Sequence, residues 1–224
     1  FYPIDLTNSY YAKPINFSGS TYQGGAYFTD SIYQGGADFI GSTYQSWADF
    51  TDSIYKGGAD FIGSTYQSWA NFSSSTYKGG ADFTGSTYRW VNFTDSTYQS
   101  WANFSSSTYQ SWANFSGSIF CSEIYFGYSK YHDISSRFTG CAPQFYNEKN
   151  CKNTLFGSPD NDFTVDTDKG YPIILNSEGL PLSCEFLTSE QKEYLKDKFQ
   201  EIDETKNKLL EAKDDEEKAR LSDM

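Results

Sequence analysis

The chain has one histidine and one methionine in 224 residues, and its four cysteines all fall after residue 120. A lone His132, with no second histidine and no cysteine in a nucleophile motif, gives neither a hydrolytic triad nor a metal centre enough groups to form. The cysteines contain no CxxC pair, so a zinc site is not expected. Cys121, Cys141, Cys151 and Cys184 are instead candidates for two disulfides, with three possible pairings. Long hydrophobic runs are also missing, and no stretch reads as a transmembrane helix or a signal peptide. The chain opens at Phe1 without an initiator Met, which we read as a trimmed N-terminus, a removed secretory signal being one route to it. Basic residues are outnumbered, 17 Lys and Arg against 29 Asp and Glu, for a net charge of −12. That balance argues against nucleic-acid binding, which needs basic surface to displace counterions.

Aromatic residues are what the chain has in excess. They make up 19% of it, against 38% hydrophobic overall, with 19 Phe and 19 Tyr. Aligned on phenylalanine, an eleven-residue unit repeats from Ile4 to Tyr131. Ala37-Asp38-Phe39-Ile40-Gly41-Ser42-Thr43-Tyr44-Gln45-Ser46-Trp47 is a representative copy. Its Phe position recurs at Phe39, Phe50, Phe61, Phe72, Phe83, Phe93, Phe104 and Phe115, with a Tyr five residues after each until Phe120. One residue is missing between Tyr88 and Phe93. Variation between copies alternates. Two after Phe, one set reads Gly19, Gly41, Gly63, Gly85, Ser106 and the other Asp30, Asp52, Ser74, Asp95, Gly117. Three before Phe, Trp47, Trp69, Trp90 and Trp112 alternate with Gly36, Gly58, Gly80 and Trp101. An environment that recurs in every second copy implies a spatial unit of two copies, hence a solenoid with one turn per pair.

Helix is excluded here, because the aromatic spacing of five then six traces no helical face. Each turn should have four corners, each with one inward ring and a small residue two before it on the same face of the chain. The triplets Ala37-Asp38-Phe39, Ala59-Asp60-Phe61, Ala70-Asn71-Phe72 and Ala102-Asn103-Phe104 resemble the core of the pentapeptide-repeat family. That resemblance implies an all-β fold, a right-handed quadrilateral β-helix. Every second unit departs from the family by having six residues and carrying Ser-x-Tyr. Twenty-four corners would give six turns, a rod roughly 29 Å tall at roughly 4.8 Å per turn. The Tyr hydroxyls could be served by nearby Ser, or could tilt to the surface.

Three regions are expected: regular repeats over 1–131, irregular cysteine-containing turns and a cap over 132–186, and a charged amphipathic α-helix over 187–224. In the middle region Ile134, Phe138 and Phe145 can be read as continuing corners. In the last, Thr188 and Gln191 form a capping-box signature, followed by an apolar face at Tyr194, Leu195, Phe199, Ile202, Leu209 and Leu210. The stacked Asp30, Asp52 and Asp95 are a candidate calcium column, although a solvated face is the simpler reading. The row Thr21, Thr43, Thr65, Thr87, Thr108 is too narrow for an ice-binding plane. Sequons at Asn16, Asn71, Asn92, Asn103 and Asn114 arise automatically from the repeat.

No catalytic group, cofactor or metal is called for. The expectation is a non-enzymatic, extracytoplasmic structural or protein-interaction module, part of a surface or filament-like assembly. Its partner is a protein or another copy, met through the uncapped end at Ile4-Asp5-Leu6, through the Trp47, Trp69, Trp90 and Trp112 face, or through the C-terminal helix. Two alternatives follow. Pentapeptide-repeat proteins that act on DNA gyrase resemble a DNA duplex in shape and charge, which implies a cytoplasmic DNA mimic. The tryptophans could also form a carbohydrate-binding strip.

Overall fold

Nearly every strand in this chain is two residues long, Ala37–Asp38 and Thr43–Tyr44 among them. Strands that short persist only when neighbours pair with them. The computed structural model, which describes residues 2–127, 134–201 and 203–204, draws those neighbours from the next turn of the chain. Ile4 lies opposite Ala26, Ala37 opposite Ala59 and Ile54 opposite Thr76, each pair in parallel. The step is 22 residues, falling to 21 where the repeat is one residue short. Two eleven-residue units therefore complete one turn of a four-sided β-solenoid of about 6 turns. Its sheets have 10, 8 and 6 strands, the largest joining two sides of the rod. The joint is made by Thr65–Asn71 and by its partner Thr87–Asn92, the unit one residue short, both of which run through the corner as continuous strand. An irregularity between Tyr66 and Trp69 absorbs the difference in length.

The rings point at the axis. Phe39, Phe50, Phe61, Phe72, Phe83, Phe93, Phe104 and Phe115 are all fully buried. Within a column, rings stack nearly parallel, as for Phe39 and Phe61 at 4.9 Å and 1°. Between columns they meet edge to face, as for Phe50 and Phe61 at 5.2 Å and 82°. Both geometries suit the aromatic quadrupole and add about 0.5–1.5 kcal/mol per pair beyond area burial. Tyrosines make parallel columns of their own, Tyr44 on Tyr66 at 4.8 Å. Each Ala two residues before a Phe is buried as well.

The two alternating sets two residues after Phe share one backbone conformation. Gly41, Asp52, Gly63, Ser74, Gly85 and Asp95 all have φ between 52° and 68°. They are third residues of tight turns, and the Ser64 amide donates to the Phe61 carbonyl at 3.3 Å. A positive φ at that place is the mark of a type II turn and selects Gly, Asn or Asp. Asp30, Asp52 and Asp95 thus occupy a turn position, and among the described residues no cluster of three metal-ligating side chains exists.

Serine does more than leave room for the ring. Ser42, Ser53, Ser64, Ser75, Ser86, Ser96 and Ser107 are buried. Each hydroxyl donates to a Phe carbonyl of the preceding turn, Ser64 to Phe39 at 2.9 Å and Ser86 to Phe61 at 2.8 Å. Each also accepts from a serine amide of that turn, as Ser64 does from Ser42 at 3.2 Å. These ladders hold backbone groups at corners that strand pairing does not reach.

The tyrosine hydroxyls stay inside. Those of Tyr33, Tyr44, Tyr55, Tyr66, Tyr77, Tyr88, Tyr98 and Tyr109 are buried and have no hydrogen-bond partner in the protein. Burial pushes the Tyr44 phenol far above its usual range, Tyr22 adds to the shift, and the Ser42 hydroxyl opposes it. Ser42 is close enough to act electrostatically, yet its own proton is committed to the Phe17 carbonyl. An orphaned buried hydroxyl costs about 1–3 kcal/mol. Eight of them would cost about as much as, or more than, the roughly 5–15 kcal/mol by which domains are stable.

Past the regular turns the columns continue on irregular spacing. Phe138 pairs with the Tyr109 position, and the Ser136 hydroxyl extends the serine ladder to the Phe104 carbonyl at 2.7 Å. Phe145 stacks on Phe115 at 5.2 Å. Phe156 continues the Phe120 column and Phe163 the Phe126 column. Ile134 is 50% exposed and is not a corner. His132 and Tyr131 lie outside the described residues. No disulfide joins any two of the four cysteines, so the expected pairs are not formed. Their thiols sit against separate carbonyls, Cys141 at Ser111, Cys151 at Glu148 and Cys184 at Phe145. Ring stacking and the extended serine ladder hold these turns where cross-links were expected.

The chain separates into two compact units, Phe1–Phe186 and Leu187–Met224. The second begins with a helix over residues 189–201. Its capping box is formed: the Thr188 amide donates to Gln191 Oε1 at 2.8 Å, and the Gln191 amide to Thr188 Oγ1 at 3.2 Å. Tyr194 is exposed; Ile202, Leu209 and Leu210 lie outside the described residues. No helix among the described residues is long and apolar enough to cross a membrane.

Candidate interaction face

The residue three before each Phe stands between the Tyr and Ala strands, at a bend except where Trp69 and Trp90 lie within continuous strand. On one side of the rod that place is held by Trp47, Trp69, Trp90 and Trp112. The backbones of Trp69 and Trp90 pair directly, but their rings do not form one ladder. Trp69 stacks instead on Trp112, at 5.4 Å and 25°, and Trp47 meets Trp69 at 6.4 Å and 47°. Trp90 lies under the Arg89 guanidinium at 4.2 Å. The shortened unit, Tyr88-Arg89-Trp90, is the cause, because it lacks the residue that aims the ring in its neighbours. Trp47 is 46% exposed and the other three are half-buried.

On the other side the same place is held by Gly36, Gly58 and Gly80. The ring of Trp101 folds back over Gly80, where a Cβ would lie 2.3 Å from the indole. Trp101 is therefore a cover for a glycine track and not a fifth member of the tryptophan face.

The tryptophan face is almost free of charge. Its segments are residues 21–27, 43–49, 65–71, 87–92 and 108–114. They hold a single acid, Asp49, and a single base, Arg89, and so carry no net charge on a chain of −12. Around the tryptophans stand Gln45, Gln67 and Gln110, all exposed. The glycine side, by contrast, carries Lys56 and Lys78 beside Asp38, Asp60 and Asp82.

The outward Asp or Asn before each Phe serves the turn that follows. Asp38 accepts from the Ile40 amide at 2.9 Å, Asn103 from Ser105 at 3.0 Å and Asn114 from Ser116 at 2.9 Å. Either residue type can make this Asx turn, so the carboxylate rows fade into Asn without loss of fold. The same bonds occupy the sequon asparagines, and Asn114 is buried. Where carboxylates do stack they strain one another: Asp60 is raised above the usual range by desolvation, then by Asp82 and Asp38. A carboxyl whose folded pKa is raised favours the folded state when protonated, and this advantage is lost as pH rises through the folded value. Asp60→Asn should therefore stabilise the rod at pH 7 by on the order of 0.5 kcal/mol, kept small by solvent screening. Paired unfolding curves at pH 7 and pH 3 test this, since the difference should vanish at the lower pH.

Other features offer little chemistry. Burial pushes the Cys184 thiol up to about 12, which makes it inert. Thr108 in the threonine row receives the Arg137 guanidinium at 3.0 Å. A cleft of about 580 Å³ in the irregular turns is lined by Pro143, Tyr146, Pro172, Ile174, Pro181 and Leu182. Comparison with family models, with curated proteins and with solved structures returned no match. The geometry alone therefore carries the functional reading.

Proposed function

We propose that this chain is a non-catalytic solenoid of the pentapeptide-repeat type, a rigid structural module that assembles with further copies of itself through its tryptophan face. The Ala-Asp/Asn-Phe triplets and the four corners per 22-residue turn support the family reading. The observation that carries the function is the tryptophan strip, which has one acid and one base and so no net charge, on an acidic rod. Two copies of a −12 chain repel, and they approach most easily where neither presents net negative charge. That strip also bears Trp47, Trp69 and Trp112, the residue type most enriched at the centres of interfaces. Assembly partners other than a second copy remain outcomes of the test below. The absence of disulfides withdraws that argument for an oxidising compartment, so the proposal rests on the face and not on location.

Sugar binding is the weaker alternative, because sugars stack on open aromatic faces and Trp69 and Trp112 cover each other. DNA mimicry is weaker too, because the outward carboxylates are few and give way to Asn92, Asn103 and Asn114. A gyrase supercoiling assay separates it, since a structural rod leaves the reaction unchanged. Sedimentation velocity over a range of concentrations tests the main reading. Association should strengthen with added salt, which screens the mutual repulsion. Gln67→Glu, which places a charge in the strip, should weaken it about tenfold, or about 1.4 kcal/mol. A chain that stays monomeric at every concentration and salt would sink the reading.

A further inference from the structure

The eight orphaned tyrosine hydroxyls form two ordered rows. Tyr33, Tyr55, Tyr77 and Tyr98 stack at 4.6, 4.8 and 4.7 Å, with ring planes within 3°. Tyr44, Tyr66, Tyr88 and Tyr109 stack at 4.8, 4.9 and 5.3 Å. Parallel rings repeat their hydroxyls at the ring spacing. That spacing is too long for a bond from one hydroxyl to the next, since O–H···O bonds run about 2.5–3.0 Å. It matches the span of one water bonded to both at about 2.8 Å on each side.

We propose that each tyrosine column holds a file of internal waters, one bridging each successive pair of hydroxyls. A buried water needs two to four polar partners, and a third is at hand. Ser75 donates to the Phe50 carbonyl and accepts from the Ser53 amide, which leaves one of its two lone pairs for the water beside Tyr77. The other serines of both ladders have the same vacancy in their bonding. The number of sites is ordinary: globular proteins hold about one buried water per 27 residues, or about eight in a chain this long, and the two rows offer six bridging positions. An anion would fit the donors equally well by geometry, but a buried negative charge without a counter-ion in an acidic protein is far costlier than water.

The upper limit of each file is written in the sequence. Phe120 stacks on Tyr98 and Phe138 on Tyr109, so the columns continue while the hydroxyls stop. At the lower end Tyr11 and Tyr22 are only half-buried. The rod is thus hydrated inside only over the turns where phenols face each other, and its irregular end is dry.

Oxygen-17 magnetic relaxation dispersion on the full chain counts waters held long enough to be internal. The intact protein should show such waters. Tyr77→Phe should lose about two of them, since its hydroxyl touches the water on either side, and lower the melting temperature by about 2–4 °C. Tyr98→Phe, which only extends what Phe120 already does, should lose about one and remains informative if Tyr77→Phe does not fold. An intact chain with no long-lived water overturns the proposal. So does a Tyr77→Phe or Tyr98→Phe protein that melts higher than the parent, because removing a dry orphan hydroxyl would stabilise.

Discussion

Phe61→Ala will cost about 3–5 kcal/mol of unfolding free energy, one of the largest effects available in this chain. The ring is fully buried and touches rings on every side. It stacks on Phe39 and Phe83, both at 4.9 Å, and meets Phe50 at 5.2 Å and Phe72 at 5.0 Å edge to face. Neighbouring turns are locked to each other by backbone bonds at the strand spacing, so the walls of the hole cannot close in. Collapse is what normally softens such a deletion, and this scaffold forbids it. Phe61→Leu refills part of the volume and should cost markedly less. Phe17→Ala, at a turn where the ring is only half-buried, should also cost less. Guanidinium unfolding of the three variants reads the order. Equal losses at Phe17 and Phe61 would contradict a core packed most tightly in the middle turns.

What the sequence makes legible is the part that repeats. Eleven-residue spacing and its two-fold alternation are enough to place Phe39 over Phe61 and Tyr44 over Tyr66, because a solenoid converts sequence period directly into stacking. The chemical meaning of individual positions is harder to read. Asp52 and Gly41 look like a solvated acid and a small residue until their shared positive φ is known. Asp38 reads as a surface charge, whereas its oxygen closes a turn. The serines read as space for a ring, whereas their hydroxyls bond the backbone of the turn below. Phe156 and Phe163 escape notice because insertions of irregular length separate them from the columns they extend, and no period points to them. The cysteines suggest cross-links from their even number alone, but pairing depends on where irregular turns carry them. The tryptophan strip is found by spacing, yet the loss of one residue before Trp90 redirects a ring and pairs Trp69 with Trp112, which spacing cannot foretell.

Ser75→Ala should be nearly as damaging as the loss of a core ring, although it removes a single oxygen. That oxygen donates to the Phe50 carbonyl at 2.9 Å and accepts from the Ser53 amide at 3.2 Å, both buried in the preceding turn. Alanine fills the space but satisfies neither, and each stranded backbone group costs about 1–3 kcal/mol. The corner has no alternative donor, because the strand pairs Ile54 opposite Thr76 begin one residue later. Ser75→Thr keeps the hydroxyl and should recover much of the loss. The chain already tolerates threonine in this role, for Thr154 Oγ1 donates to the Phe115 carbonyl at 2.8 Å. Amide exchange distinguishes the ladder from simple packing. In Ser75→Ala the Ser53 amide should lose its protection selectively, while amides of distant turns such as Phe104 keep theirs. If Ser53 stays as protected as in the parent, the hydroxyl ladder contributes nothing to holding the turns together, and serine at this corner is there only for its size.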